Sequence, residues 1–114
     1  MIGGNITAEL QIRTTTKNEI GESVKQWSTV QRIRGWLDYQ SGDSKYTSFS
    51  TKAQESTHVF VCDYVAIDPR IVPENSRLKV NGKAYDVLLI DNPMELNKQL
   101  EIYLKFTGGN PNGG

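Results

Sequence analysis

The sequence predicts an all-β fold: a small antiparallel β-barrel or sandwich of about seven strands with one long inserted loop. Three observations carry this. Leu100, Ile102, Leu104 and Phe106 alternate with Glu101, Tyr103, Lys105 and Thr107, the two-residue period of a strand buried on one face and wet on the other. Asn81-Gly82 separates two strand-like runs and supplies the pair that tolerates positive φ at both centres of a type I′ hairpin turn. Short runs punctuated by turn residues recur along the chain, with no strongly periodic helix among them.

In chain order, Ala8, Leu10 and Ile12 alternate with Thr7, Glu9, Gln11 and Arg13 to give a first half-buried strand. The polar run Lys17–Glu22 reads as a hairpin connection. A second strand covers Ser23–Val30, with Trp27 as its large anchor. A third covers Arg32–Tyr39, with Ile33, Gly35, Leu37 and Tyr39 opposite Arg32, Arg34, Trp36 and Asp38. Gly35 inside a strand marks a bend or a close backbone approach. A fourth strand runs over Thr57–Val65, with Phe60, Cys62 and Tyr64 on one face and Val59, Val61 and Val65 on the other. Asp68-Pro69 ends that region, and Val72–Asn75 forms a further turn. Leu78 and Val80 alternate with Lys79 in the next strand. Lys83–Ile90 follows the hairpin turn and stops at Asp91-Asn92-Pro93, where proline has no ladder N–H and biases Asn92 away from helix.

Ser41–Ser56 stands apart. It is polar and hydroxyl-rich, with two aromatics and no core-like period. A structureless loop of this length in a compact domain is uncommon and tends to be functional or disordered; the plainer reading is a mobile surface loop with a helical turn around Thr51–Glu55. Doubled back on itself, it reaches about 25 Å, beyond the ~13 Å radius of gyration expected of the domain. The expected organisation is therefore an N-terminal arm over residues 1–6, a β domain over 7–107 containing the 41–56 loop, and a Gly/Asn tail over 108–114 that forms no core.

The bulk properties exclude several classes. Acidic and basic residues balance at 13 each, giving zero formal charge, whereas a dedicated nucleic-acid binder carries a basic excess. Cys62 is the single cysteine, so no internal disulfide forms. No segment approaches the ~20 apolar residues of a membrane helix, and Met1–Asn5 has neither the basic nor the apolar region of a signal peptide. These features read as a soluble intracellular domain.

No chemistry-bearing constellation emerges. His58 and Cys62 share a strand face but stand roughly 13 Å apart, too far for one zinc ion or for a nucleophile–base pair. The carboxylates form no acid/base motif, and no glycine-rich phosphate loop lies between a strand and a helix. Neither an enzyme nor a cofactor or metal site is expected. Arg32, Arg34 and Trp36 make a basic and aromatic stripe of the kind oligonucleotide-binding barrels use. A solvated strand face with acidic cross-strand partners and a half-buried tryptophan accounts for it more simply.

With these elements placed, the chain resembles phage head–tail joining proteins of the head-closure or head–tail adaptor type. The resemblance rests on Trp27, Gly35-Trp36-Leu37-Asp38-Tyr39, Ser41-Gly42-Asp43, Asn81–Val87, Ile90–Pro93 and Leu100–Leu104, in that order. It implies a virion structural protein at the portal vertex, a monomer in solution and in the host cytoplasm before assembly. There it would form a ring between the portal or connector and the tail proteins, with packaged double-stranded DNA passing without specific binding. A tail-terminator or tail-completion subunit is the alternative. The resemblance assigns the channel-facing, partner-binding role to the long loop, on Gly42, Asp43, Ser44, Lys45, Tyr46, Thr47, Ser48 and Phe49. It also makes the two chain ends docking arms.

Overall fold

A computed structural model describes residue 4, residues 6–39 and residues 55–106. Six strands occupy them: β1 (Ile6–Lys17), β2 (Ser23–Tyr39), β3 (His58–Asp63), β4 (Ser76–Val80), β5 (Lys83–Asp91) and β6 (Gln99–Lys105). All neighbours pair antiparallel, and the sheet closes on itself as a barrel in the order β1-β2-β3-β6-β5-β4. Closure removes the free sheet edges that an open six-stranded sheet would expose.

The expected second and third strands are one element. Leu10 pairs with Gln31 and Gln11 with Thr29, so Val30 is an extra residue on β2. A bulge of this kind switches the parity of the side chains. Before it Ser28 lies opposite the buried Ile12, and after it Ile33 lies opposite the buried Ala8. Trp27 and Arg32 both point outward as a result. The break in alternation that separates two strands in the sequence is thus a phase change inside one 17-residue strand, and the strand count among the described residues is six. A second bulge at Leu88 does the same on β5, turning Val87 and Ile90 inward and Leu89 outward.

The inward faces build the core from Ala8, Leu10, Ile12, Ile33, Phe60, Cys62, Leu78, Val80, Val87, Leu100, Ile102 and Leu104. At roughly 1.5–3 kcal/mol for each large side chain removed from water, this interior is the main source of stability. Gly35 meets its expectation of close approach. A Cβ there would collide with the Val61 carbonyl oxygen and lie 2.9 Å from both the Cys62 Cβ and a Phe60 ring carbon. The Asn81-Gly82 turn also behaves as its residues require, with φ of 52° and 77°.

Two expected facings are corrected. Tyr103 occupies the outward face of β6, yet it is only 2% exposed, packed with Val59, Val61 and Leu89 in a second apolar cluster. Alternation alone assigned it to water because Glu101 and Lys105 flank it. Tyr64 does not continue the Phe60–Cys62 face, because β3 ends at Asp63 and Tyr64 is exposed. Its N–H bonds the Lys98 carbonyl at 3.1 Å instead of a strand partner.

Candidate functional site

The register places three departures of the chain at one pole of the barrel. Ile6 lies opposite Gly35, Tyr39 opposite His58, and His58 opposite Leu104. The start of β1, the end of β2, the start of β3 and the end of β6 therefore lie together. The segment that joins β2 to β3 leaves and returns there. Its candidate residues Gly42–Phe49 lie outside the described residues, as do most of the expected N-terminal arm and the tail.

The described residues at this pole form a row of rings. Tyr39 meets His58 edge-on at 5.3 Å, His58 meets Tyr85 at 5.0 Å, and Tyr85 meets Phe106 at 5.2 Å. The Lys83 ammonium stands 5.8 Å over the Phe106 ring. Partial burial, helped by the Lys83 charge, lowers the His58 pKa from its ordinary value. Thr57 ties the row together: its N–H bonds the Leu104 carbonyl at 2.8 Å. Its hydroxyl oxygen accepts from the Phe106 N–H at 2.8 Å and shares a hydrogen bond with His58 Nδ1 at 2.9 Å. The return of the long segment into β3 is thereby tied to the end of β6.

The opposite pole carries a projecting arm. β4 pairs with β1 only as far as Ile12, so Arg13–Lys17 continue with Ser23–Trp27 as a two-stranded ribbon. Five residues at ~3.4 Å each carry it about 17 Å past β4. Asn18 organises its tip: its Oδ1 accepts from Ile20 N–H at 3.1 Å and Glu22 N–H at 2.9 Å, leaving Ile20 79% exposed. Met94 and Leu96 are also bare, in the β5–β6 connection, where Met94, Glu95 and Asn97 hold positive φ. These residues escaped sequence reading, since a lone apolar residue in a turn-rich run has no period to betray it.

His58 and Cys62 sit on the inward face of β3 with Phe60 between them. Burial and the Asp63 charge push the Cys62 thiol up to about 11, against a weaker opposing backbone hydrogen bond from Leu100. Among the described residues no three His, Cys, Asp or Glu side chains gather as a metal-binding group.

Arg32 and Arg34 are exposed on the outward face of β2, and Trp36 beside them is 44% exposed. Arg32 stands opposite Glu9, the acidic cross-strand partner expected of a solvated face, whereas Arg34 stands opposite Thr7. A polar chain lies next to them: Arg77 Nε donates to Gln11 Oε1 at 2.7 Å and Gln11 Nε2 to the Thr29 hydroxyl at 3.1 Å. That hydroxyl donates to Glu9 Oε1 at 2.8 Å. The Arg77 guanidinium caps the Trp27 ring at 4.4 Å. Trp27 therefore anchors the outer surface, not the interior.

Comparison with known proteins adds to this geometry. Residues 5–105 match the model of a family described as phage head completion protein. The fold is similar to the solution structure of protein SF1141 from Shigella flexneri 2a, with a TM-score of 0.62 and 15% identity over 96% of this chain and 98% of that one. It is also similar to a chain of the virion of a native gene transfer agent particle, with a TM-score of 0.55 and 13% identity over 88% and 91%. At these identities the structural likeness is one of fold. A search of curated proteins gives no match.

Proposed function

The chain belongs to the phage head completion protein family, a virion structural protein of the head–tail junction, and from that premise we propose how it acts. Copies assemble as a ring at the portal vertex, between connector and tail, around the channel through which DNA passes. The segment carrying Gly42–Phe49 faces that channel and helps retain packaged DNA. The protein works by assembly and contact, without catalytic turnover.

One observation carries the reading. The polar 41–56 segment and both chain ends leave the barrel from a single pole, where the ring row and Thr57 hold their roots. A rigid shell that gathers its extensions at one end suits a part that must reach neighbours and a central channel at once. A cyclic ring needs two different complementary patches on each copy. The balanced formal charge spares crowded copies a strong mutual repulsion. The free subunit stays monomeric if its extensions order only on assembly.

Deleting Asp43–Ser50 tests this. The isolated variant should melt as the parent does, because the deleted residues fall outside the apolar pattern, while particles built with it should lose DNA after packaging. Stable, full particles from the deletion variant would overturn the channel role. Removing the protein altogether should leave filled heads that leak beside finished free tails. Abnormal tails would instead favour a tail-completion role.

A further inference from the structure

The zero net charge of this chain hides a division of charge across the barrel. In ring order β4, β1 and β2 make one half of the wall and β3, β6 and β5 the other. On outward positions of the first half stand Arg32, Arg34 and Lys79, and Arg13, Lys17 and Lys25 continue it along the projecting ribbon, whose tip carries Glu19 and Glu22. Arg77, held over the Trp27 ring, adds a seventh cation. Glu9 and Asp38 are the acidic residues at outward strand positions of that half, and Glu9 lies between Arg32 on one side and Lys79 on the other. On the second half Asp63, Asp86, Asp91 and Glu101 point outward against Lys105, with Asp86 at the boundary between Lys105 and Arg77 of the first half. The two tryptophans of the chain, Trp27 and Trp36, lie on the basic half.

We propose that the basic β4–β1–β2 half docks onto the acidic β3–β6–β5 half of a second copy of this chain. The inference rests on the ring reading and names its interface. The two surfaces lie on opposite halves of one barrel and differ in sign, so the contact is head-to-tail and leaves the pair with one free half of each kind, acidic on one copy and basic on the other. Such a contact propagates until a rotation closes it. Exposed charges are screened within about 8 Å at physiological salt. Complementarity of this sort sets orientation and encounter rate more than affinity. Copies therefore stay apart when dilute and associate when a vertex concentrates them. Duplex DNA is the other polyanion this basic half meets, but it has no counterpart for the acidic half.

Charge reversal tests the pairing, because every copy carries both halves. Particles are assembled with Arg32→Glu/Arg34→Glu, with Asp86→Lys/Asp91→Lys, or with all four changes in one chain. Each double variant should lower the yield of heads joined to tails at least about tenfold, since like charges then face each other. The quadruple variant, with both signs inverted, should recover most of that loss. Thermal melting of each purified chain separates misfolding from misassembly. Asp91→Asn, which introduces no new charge and faces Glu101 instead of a cation, should show a smaller fall in yield with no loss of melting temperature.

A quadruple variant no better than the doubles would overturn the pairing. So would a basic-half double that loses salt-dependent retardation of duplex DNA while the acidic-half double joins heads to tails normally. The copy number of the chain per particle is read in parallel. Several copies with no rescue would sink this interface and leave the ring standing, whereas a single copy would sink the ring itself.

Discussion

At the scale of single residues, environment decides more than residue type. Cys62 is 1% exposed and its pKa lies at about 11, so the thiolate that reacts with alkylating reagents is scarce at neutral pH. Native protein should resist iodoacetamide and become labelled only on unfolding, as mass spectrometry of the two states will report. His58 gives a pH dependence of definite sign. Its folded pKa lies below the ordinary 6.5, so the unfolded chain takes up a proton that the folded one refuses as pH falls through that value. Stability is complete above about 6.5 and declines below it, until the folded group itself titrates. The melting temperature should therefore drop between about pH 7.5 and about pH 5.5, a window above most carboxylate titration. His58→Phe, which retains a ring between Tyr39 and Tyr85, should flatten that slope. On β6, Ile102→Asp should unfold the domain or cost about 4 kcal/mol or more, by burying an unpaired charge. Tyr103→Asp should be nearly as severe, because its ring is buried with Val59 and Leu89. Lys105→Asp, at the exposed position of the same strand, should be mild. Equal melting of the Ile102 and Lys105 variants would contradict the observed facing.

At the scale of elements, what the sequence revealed depended on whether a local rule determined the outcome. Asn81-Gly82 and Pro93 act through the backbone of their own neighbours, so the β4–β5 hairpin and the end of β5 were legible. The core positions Ala8, Leu10, Ile12, Leu100, Ile102 and Leu104 followed from alternation with polar neighbours. The bulges at Val30 and Leu88 were not legible as such, because an extra residue is defined only against its partner strand. Tyr103 was misplaced for the same reason: the neighbours that bury it come from β3 and β5. The polar identity of Gly42–Phe49 was plain in the sequence, but composition carries no coordinates, and those residues lie outside the described ones. Gly35 shows the opposite case, a residue whose isolation inside a strand announced a close contact. Gly35→Ala should cost about 1–3 kcal/mol or more, since the added methyl meets backbone at Val61 and not a side chain free to turn away. Denaturant titration of the variant measures it. An unchanged midpoint would mean that β2 and β3 separate there at little cost.

At the scale of the whole molecule, closure of the barrel is the step that no local segment can take. The β1–β2 hairpin and the β4–β5 hairpin each form from neighbours in sequence. The seam between β1 and β4 instead joins Gln11 to Arg77 across 66 residues. Chain entropy must be given up before that contact returns anything, which places such folds in the millisecond-to-second range. The two tryptophans report on different parts of the event. Trp27 sits under the Arg77 guanidinium on the seam, while Trp36 stands opposite Val61 across the β2–β3 pairing. If the ring closes as one cooperative unit, Trp36→Phe and Trp27→Phe, each leaving one probe, should refold with the same single-exponential rate after correction for their stabilities. A fast Trp36 signal followed by a slow Trp27 signal would instead reveal an open sheet that closes last. Such an intermediate would expose free edges on β1 and β4, the surfaces most prone to pair with another chain. Coincident signals would mean that the chain reaches its assembly partners already closed, with its two charged halves facing opposite ways.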